Sequence, residues 1–122
     1  MFFDGEAIVR DHDDILLVTI NYRLNIFGFP TAPQLNNPTQ SQNFGVLDVQ
    51  AAVQWVHDNI AGFGGDPNRI TLFGQSAGSS LASIYTLANP TDTIVKGESD
   101  RLLYIYVRLV YLQVSLSNLE GE

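Results

Sequence analysis

The stretch that most limits what this chain can become is Ile70-Thr71-Leu72-Phe73-Gly74-Gln75-Ser76-Ala77-Gly78-Ser79-Ser80. Apolar, strand-forming residues run up to Gly74, and small residues follow Ser76. Between them stands G-x-S-x-G, filled as Gly74-Gln75-Ser76-Ala77-Gly78. A strand that turns sharply into a helix at a glycine-flanked serine is the pattern of a nucleophile elbow. The glycines let strand and helix pass closely, and the serine sits at a helix N-terminus, where the dipole favours developing negative charge. The bare pattern is weak, because roughly a few per cent of chains this long would carry it by chance. Its context is more specific. A strand signal precedes it, and Leu81, Ile84 and Leu87 follow at spacings that fit one helix face. The alternative is an ordinary glycine-rich strand-to-helix turn carrying an idle serine.

The rest of the chain supplies the partners such an elbow needs. Ile15-Leu16-Leu17-Val18-Thr19-Ile20-Asn21-Tyr22 is a near-continuous run of β-formers, the signature of a strand buried on both faces of a parallel sheet. Gly28-Phe29-Pro30 breaks regular structure, and the proline- and amide-rich stretch 30–43 reads as a long loop. Val46, Val49, Val53, Val56 and Ile60 recur at helical spacing, with Gln50, Gln54, His57 and Asp58 on the other face. These spacings predict a helix over 45–59, ended by the turn residues Phe63-Gly64-Gly65-Asp66-Pro67. The order strand, loop, helix, turn, strand, elbow, helix is an alternation that implies a parallel sheet with crossover helices. It predicts 15–22 and 69–74 as adjacent parallel strands joined through the 45–59 helix.

Composition excludes several classes. The 122 residues suffice for one small domain, and 45% apolar with 16% charged content is not that of a disordered chain. Net charge is −7 and the six basic residues are scattered, so there is no basic patch for nucleic acid or anionic lipid. Without cysteine there is neither disulfide nor thiolate metal site, and the compartment stays open. No apolar run reaches the length of about 18 residues that crosses a bilayer, and Met1 to Glu6 lacks the features of a signal peptide. Residues 1–14 hold Asp11, Asp13, Asp14 and His12 and read as a solvated lead-in, with a helix over 5–10, rather than as a metal site. No cofactor and no metal are implied.

Several stretches together resemble one family. Thr19-Ile20-Asn21-Tyr22-Arg23-Leu24 with Phe27-Gly28-Phe29, Asn43 to Asp48, Gln54-Trp55-Val56-His57-Asp58-Asn59-Ile60, and Phe63 through Gly78 look like part of a type-B carboxylesterase of the cholinesterase and insect-esterase group. The resemblance covers about residues 4–88. It implies an α/β-hydrolase fold, here as a fragment with parallel strands, a crossover helix and the nucleophile elbow. It also implies that Ser76 is the nucleophile that forms an acyl-enzyme, that the Ala77 N–H is one oxyanion-hole donor, and that Gly74, Gln75 and Gly78 complete the elbow. Gln75 replaces an acidic residue of the cholinesterases, which points to a neutral rather than a cationic small-molecule ester. Arg23 and Asp48 match a structural ion pair.

The departures from the family bear on activity. Its members run to several hundred residues. In their layout the glycine-rich oxyanion loop lies before residue 1, and the acidic and histidine triad members lie beyond residue 122. Neither His12 nor His57 matches the catalytic histidine. The resemblance stops near Asn89, which divides the chain into a partial esterase domain, 1–90, and a divergent tail, 91–122. Within the tail, 91–101 reads as a polar linker, and Leu102 to Leu112 is apolar and ambiguous between strand and helix. The expected function is a serine ester hydrolase. The alternatives are an inactive truncated or mis-spliced piece of one, and an esterase-like adhesion module, against which the intact Ser76 argues.

Overall fold

The computed structural model describes residues 6–12, 14–31, 41–101 and 110–116. The element order is α1 (Glu6–Asp11), β1 (Ile15–Ile20), a single turn α2 (Asn25–Gly28), α3 (Phe44–Asn59), a 3-10 turn (Ile60–Phe63), β2 (Gly65–Gln75), α4 (Ala77–Ala88), β3 (Val95–Arg101) and β4 (Val110–Leu116). Much of the predicted 30–43 loop lies outside the described residues, as do Asp13 and 102–109.

The four strands form one sheet in the order β1-β4-β2-β3. β2 and β3 are parallel, and β4 runs antiparallel to both β1 and β2. β1 and β2 therefore point the same way, and α3 links them as a crossover helix. They are not neighbours, which corrects the sequence expectation: β4 stands between them. Val110 pairs with Ile20 on one side and with Gly74 on the other, and Leu112 pairs likewise with Val18 and Leu72. The tail can serve there because Val110, Leu112, Val114 and Leu116 alternate with Tyr111, Gln113 and Ser115, the period of a strand. The reading of 91–101 as a linker is also corrected. Val95 to Arg101 is β3, a strand whose polar composition suits the sheet edge it occupies.

One apolar core lies on one face of the sheet. Val49, Val53 and Val56 of α3 are buried with Ile70 and Leu72 of β2 and with Leu81, Ala82 and Tyr85 of α4. Ile70 and Leu72 are two residues apart and so face the same side. Leu16 and Val18 of β1 pack against the same cluster. Both long helices thus cover one face, and the 3-4-3 spacing of the α3 valines produces the buried stripe. Gln54 and Asp58 are exposed, whereas Gln50 and His57 are half-buried. The helix also exposes Leu47 and Trp55, and the Trp55 ring lies 6.5 Å from that of Phe63.

Candidate active site at the carboxyl edge of the sheet

β2 delivers Ser76 to the carboxyl edge, and α4 begins at the next residue. Ser76 has φ 54° and ψ −121°, a conformation that costs an L-residue about 1–3 kcal/mol. The bend is held from both sides. The Ser76 carbonyl accepts the first helical bond, from the Ser80 N–H at 3.1 Å. Gly74 and Gly78 bring strand and helix backbones together: a Cβ on Gly74 would collide with the Gly78 carbonyl and stand 2.7 Å from the Ser79 nitrogen. Ser76 is exposed, and its side chain makes no capping bond to α4. Helix geometry leaves the Ala77 N–H without an intrahelical acceptor, in the first turn where the dipole is positive. The arrangement can present a hydroxyl and at least one N–H donor to a carbonyl group approaching that edge.

Arg23 and Asp48 frame the same edge. Arg23 follows β1, and Asp48 lies in α3 beyond its first turn. Arg23 Nε donates to Asp48 Oδ2 at 2.8 Å, a terminal guanidinium nitrogen donates to Oδ1 at 2.7 Å, and the Arg23 backbone N–H donates to Oδ2 at 2.9 Å. The grip is bidentate, with the Asp48 side chain 24% and the Arg23 side chain 52% exposed. These hydrogen bonds from Arg23 hold the Asp48 carboxyl below its ordinary range, against the upward pull of burial. Sequence reading missed two supports. The guanidinium lies 5.1 Å from the ring centroid of Phe44, a cation–π contact. Gly28 packs on the Arg23 carbonyl, leaving no room for a Cβ. An aromatic one turn before the acid was the available signal for the first. The second depends on a turn, Asn25 to Gly28, that opens with Asn25 at φ 51° and is not written in any periodicity.

The two histidines stand at the other end of the sheet. The Arg23–Asp48 contact fixes the start of α3 at the carboxyl edge, so the helix runs back toward the amino edge, where β2 begins. His57 is nine residues beyond Asp48, about 14 Å along the helix axis, and its Nδ1 lies 3.1 Å from Asp58 Oδ1. The hydrogen bond from His57, then that from Gln54, keeps the Asp58 carboxyl low. His12 precedes β1 and is exposed, again at the amino edge. The Ile70–Gln75 ladder alone puts about 17 Å between the two ends. Neither imidazole is brought to Ser76.

A cleft of about 230 Å³ also opens away from Ser76, at the C-terminal end of α4. It is lined by Tyr85, Asn89, Asp92 and Lys96 among others. Tyr85 O–H donates to Asp92 Oδ2 at 2.7 Å, and Asp92 also accepts the N–H groups of Ile94 and Val95. Burial first, then the Asp92 contact, pushes the Tyr85 hydroxyl far above its usual range. Burial pulls the Asp92 carboxyl up, but its hydrogen bonds outweigh that and leave it low. These bonds shape the turn into β3. No group of three or more metal-ligating side chains occurs among the described residues. No described helix is long and apolar enough to cross a membrane.

The sequence profile of the carboxylesterase family matches residues 1–98. A chlorogenic acid esterase of Aspergillus niger is 51% identical over 80 residues, which are 66% of this chain and 15% of that protein. A fumonisin B1 esterase of Sphingopyxis macrogoltabida is 46% identical over 86 residues, 68% of this chain and 16% of its own. A liver carboxylesterase 1 of Oryctolagus cuniculus is 44% identical over 92 residues, 75% of this chain and 16% of its own. The chain therefore spans about one sixth of the length of these relatives.

Proposed function

This chain belongs to the carboxylesterase family, and from that premise we propose that it carries the nucleophile of a serine ester hydrolase at Ser76. The supporting observation is the backbone of Ser76, an exposed residue held at positive φ at the head of α4. In the proposed reaction the Ser76 Oγ attacks an ester carbonyl and its proton passes to a base. The Ala77 N–H donates to the oxyanion of the tetrahedral intermediate. Collapse expels the alcohol, which takes up the proton, and water then cleaves the acyl-serine to give the acid. Gly74, Gln75 and Gly78 form the elbow. The substrate is a small neutral ester, because Gln75 offers no charge to a cation. In this reading 1–90 is the esterase portion and 91–122 a divergent addition to it.

A second reading follows from the histidines. Serine is a weak nucleophile without an adjacent base, and His12 and His57 both lie at the amino edge. On that reading residues 1–122 alone turn over no ester, and the base belongs to residues other than these two. A p-nitrophenyl acetate assay on the 122-residue chain beside Ser76→Ala separates the readings. Ser76-dependent turnover near about 10 s⁻¹, a typical enzyme's rate, supports the first and removes the second. Equal, slow release by both proteins supports the second.

A further inference from the structure

A second cleft, of about 390 Å³, adjoins the one at the C-terminal end of α4 and shares Tyr85, Asn89 and Asp92 with it. Gln50 and Gln54 of α3 form one wall, and Ala88, Pro90 and Ile94 give an aliphatic side. α4 is 12 residues long, so this end of the helix stands about 18 Å from Ser76. The ester chemistry proposed for Ser76 makes no use of it.

The hydrogen-bonding balance of this cleft is one-sided, because its donors are turned onto the protein. Gln50 Nε2 donates to Asn89 Oδ1 at 3.4 Å, Gln54 Nε2 to Asp58 Oδ1 at 2.9 Å, and Asn89 Nδ2 to the Tyr85 carbonyl at 2.7 Å. The Tyr85 O–H is taken by Asp92. Acceptors are left over. The Gln50 and Gln54 Oε1 atoms receive no hydrogen bond among the described residues. Nor do the Leu87 and Ala88 carbonyls at the end of α4 accept a backbone N–H there, and they carry the negative end of the helix dipole.

Charge points the same way. Asp92 is the one charged residue that lines this cleft. Its carboxylate accepts hydrogen bonds from neutral donors, the Tyr85 O–H and the Ile94 and Val95 N–H groups. It pairs with no cation among the described residues. Lys96 lines the neighbouring cleft and makes no ion pair among those residues. The chain's net charge of −7 has the same sign as Asp92 and favours a cation's approach.

A negative charge, surplus acceptors and an aliphatic wall select a ligand with a positive charge, several N–H donors and a short alkyl part. A primary ammonium has three donors and no acceptor, and small-molecule sites begin at about 300 Å³. We propose that this cleft binds a small primary alkylammonium, its nitrogen held among Asp92 and the Gln50 and Gln54 Oε1 atoms and its alkyl chain lying along Ala88, Pro90 and Ile94.

The test titrates n-butylammonium into the 122-residue chain by isothermal calorimetry, with 1-butanol as its uncharged match. Saturable one-to-one binding of the ammonium alone is expected, weakening as salt is added. Tetramethylammonium keeps the charge but has no N–H, and should bind about tenfold or more weakly, the loss of one hydrogen bond to a charged group. Asp92→Asn should abolish binding. Asp92 also shapes the turn into β3, so Ala88→Phe is the second variant. It fills the cleft from an exposed position, leaves the Asp92 hydrogen bonds in place, and should abolish binding too. Ser76→Ala should bind as the parent does. The proposal is overturned if the parent shows no saturable binding, or if 1-butanol or tetramethylammonium binds equally well. Undiminished affinity in an Ala88→Phe variant with the parent's circular dichroism spectrum overturns it as well, as does loss of binding in Ser76→Ala.

Discussion

Gly74 and Gly78 stand in backbone contact, β2 against α4, with no room for a single methyl group between them. A Gly74→Ala variant must push the helix off the strand or leave the elbow. Overpacking of this kind costs about 1–3 kcal/mol, and here the obstacle is backbone, which gives less readily than a side chain. The expected result is a lower urea midpoint at unchanged slope. An unchanged midpoint means that the two backbones are not in contact.

Ser76→Gly should move stability the other way. Glycine adopts positive φ without the penalty that Ser76 bears, and Ser76 makes no side-chain cap bond whose loss would offset the gain. Relief of strain worth about 1–3 kcal/mol exceeds the extra backbone entropy of glycine, about 0.5–1 kcal/mol. The expected net gain is about 1 kcal/mol, read as a higher denaturant midpoint. Ser76→Val, β-branched and ill-suited to that conformation, should lose stability. If Gly and Val behave alike, the strain at Ser76 is absent.

Acid should loosen the fold through Asp48 and Asp92. Both carboxyls are held below their ordinary range in the folded state, Asp48 chiefly by hydrogen bonds from Arg23 and Asp92 by its hydrogen bonds in spite of burial. The unfolded chain therefore binds protons first as pH falls through about 3.9, and stability drops from there until the folded-state carboxyls also protonate. Asp48→Asn removes one of these contributions. Its deficit relative to the parent should be largest at neutral pH and shrink below about pH 4. A deficit independent of pH would place the effect in packing and not in charge.

Alkali should act through two of the five tyrosines. Burial raises the Tyr22 hydroxyl, and burial with the Asp92 contact raises that of Tyr85. Above about pH 10 the unfolded chain loses these protons while the folded one keeps them, so stability falls as pH rises further. Absorbance at 295 nm should show Tyr22 and Tyr85 ionising only as the circular dichroism signal is lost, a step that Tyr22→Phe and Tyr85→Phe should each diminish. Ionisation of Tyr22 or Tyr85 in protein that keeps its circular dichroism signal contradicts the burial of these two rings.

Elements set by short-range pattern were legible in the sequence. The α3 valines, the β1 run and the glycines about Ser76 each encode geometry within a dozen residues. Their directions followed too, since a strand–helix–strand alternation admits few arrangements. What could not be read was the neighbour of each strand. Nothing near Ile20 or Gly74 announces that Val110 stands between them, because strand pairing is chosen by whichever segment best fills an edge, however distant. β3 was hidden for a related reason. Lys96, Glu98, Asp100 and Arg101 look like linker chemistry, but a strand on a sheet edge carries charge without penalty. The Arg23 and Asp48 positions could be matched from sequence, whereas the Phe44 contact depends on how Arg23 extends in three dimensions.

The bend at Ser76 is made wholly from one uninterrupted run of chain, β2 and α4, with the glycines that permit it two residues either side. Its conformation asks nothing of the distant residues that a complete catalytic apparatus would need. Such a segment is inheritable as a cassette: insertion, loss or replacement of sequence elsewhere leaves the serine's posture intact. Posture and reactivity can then part company in evolution, because the base that a serine nucleophile needs comes from other segments.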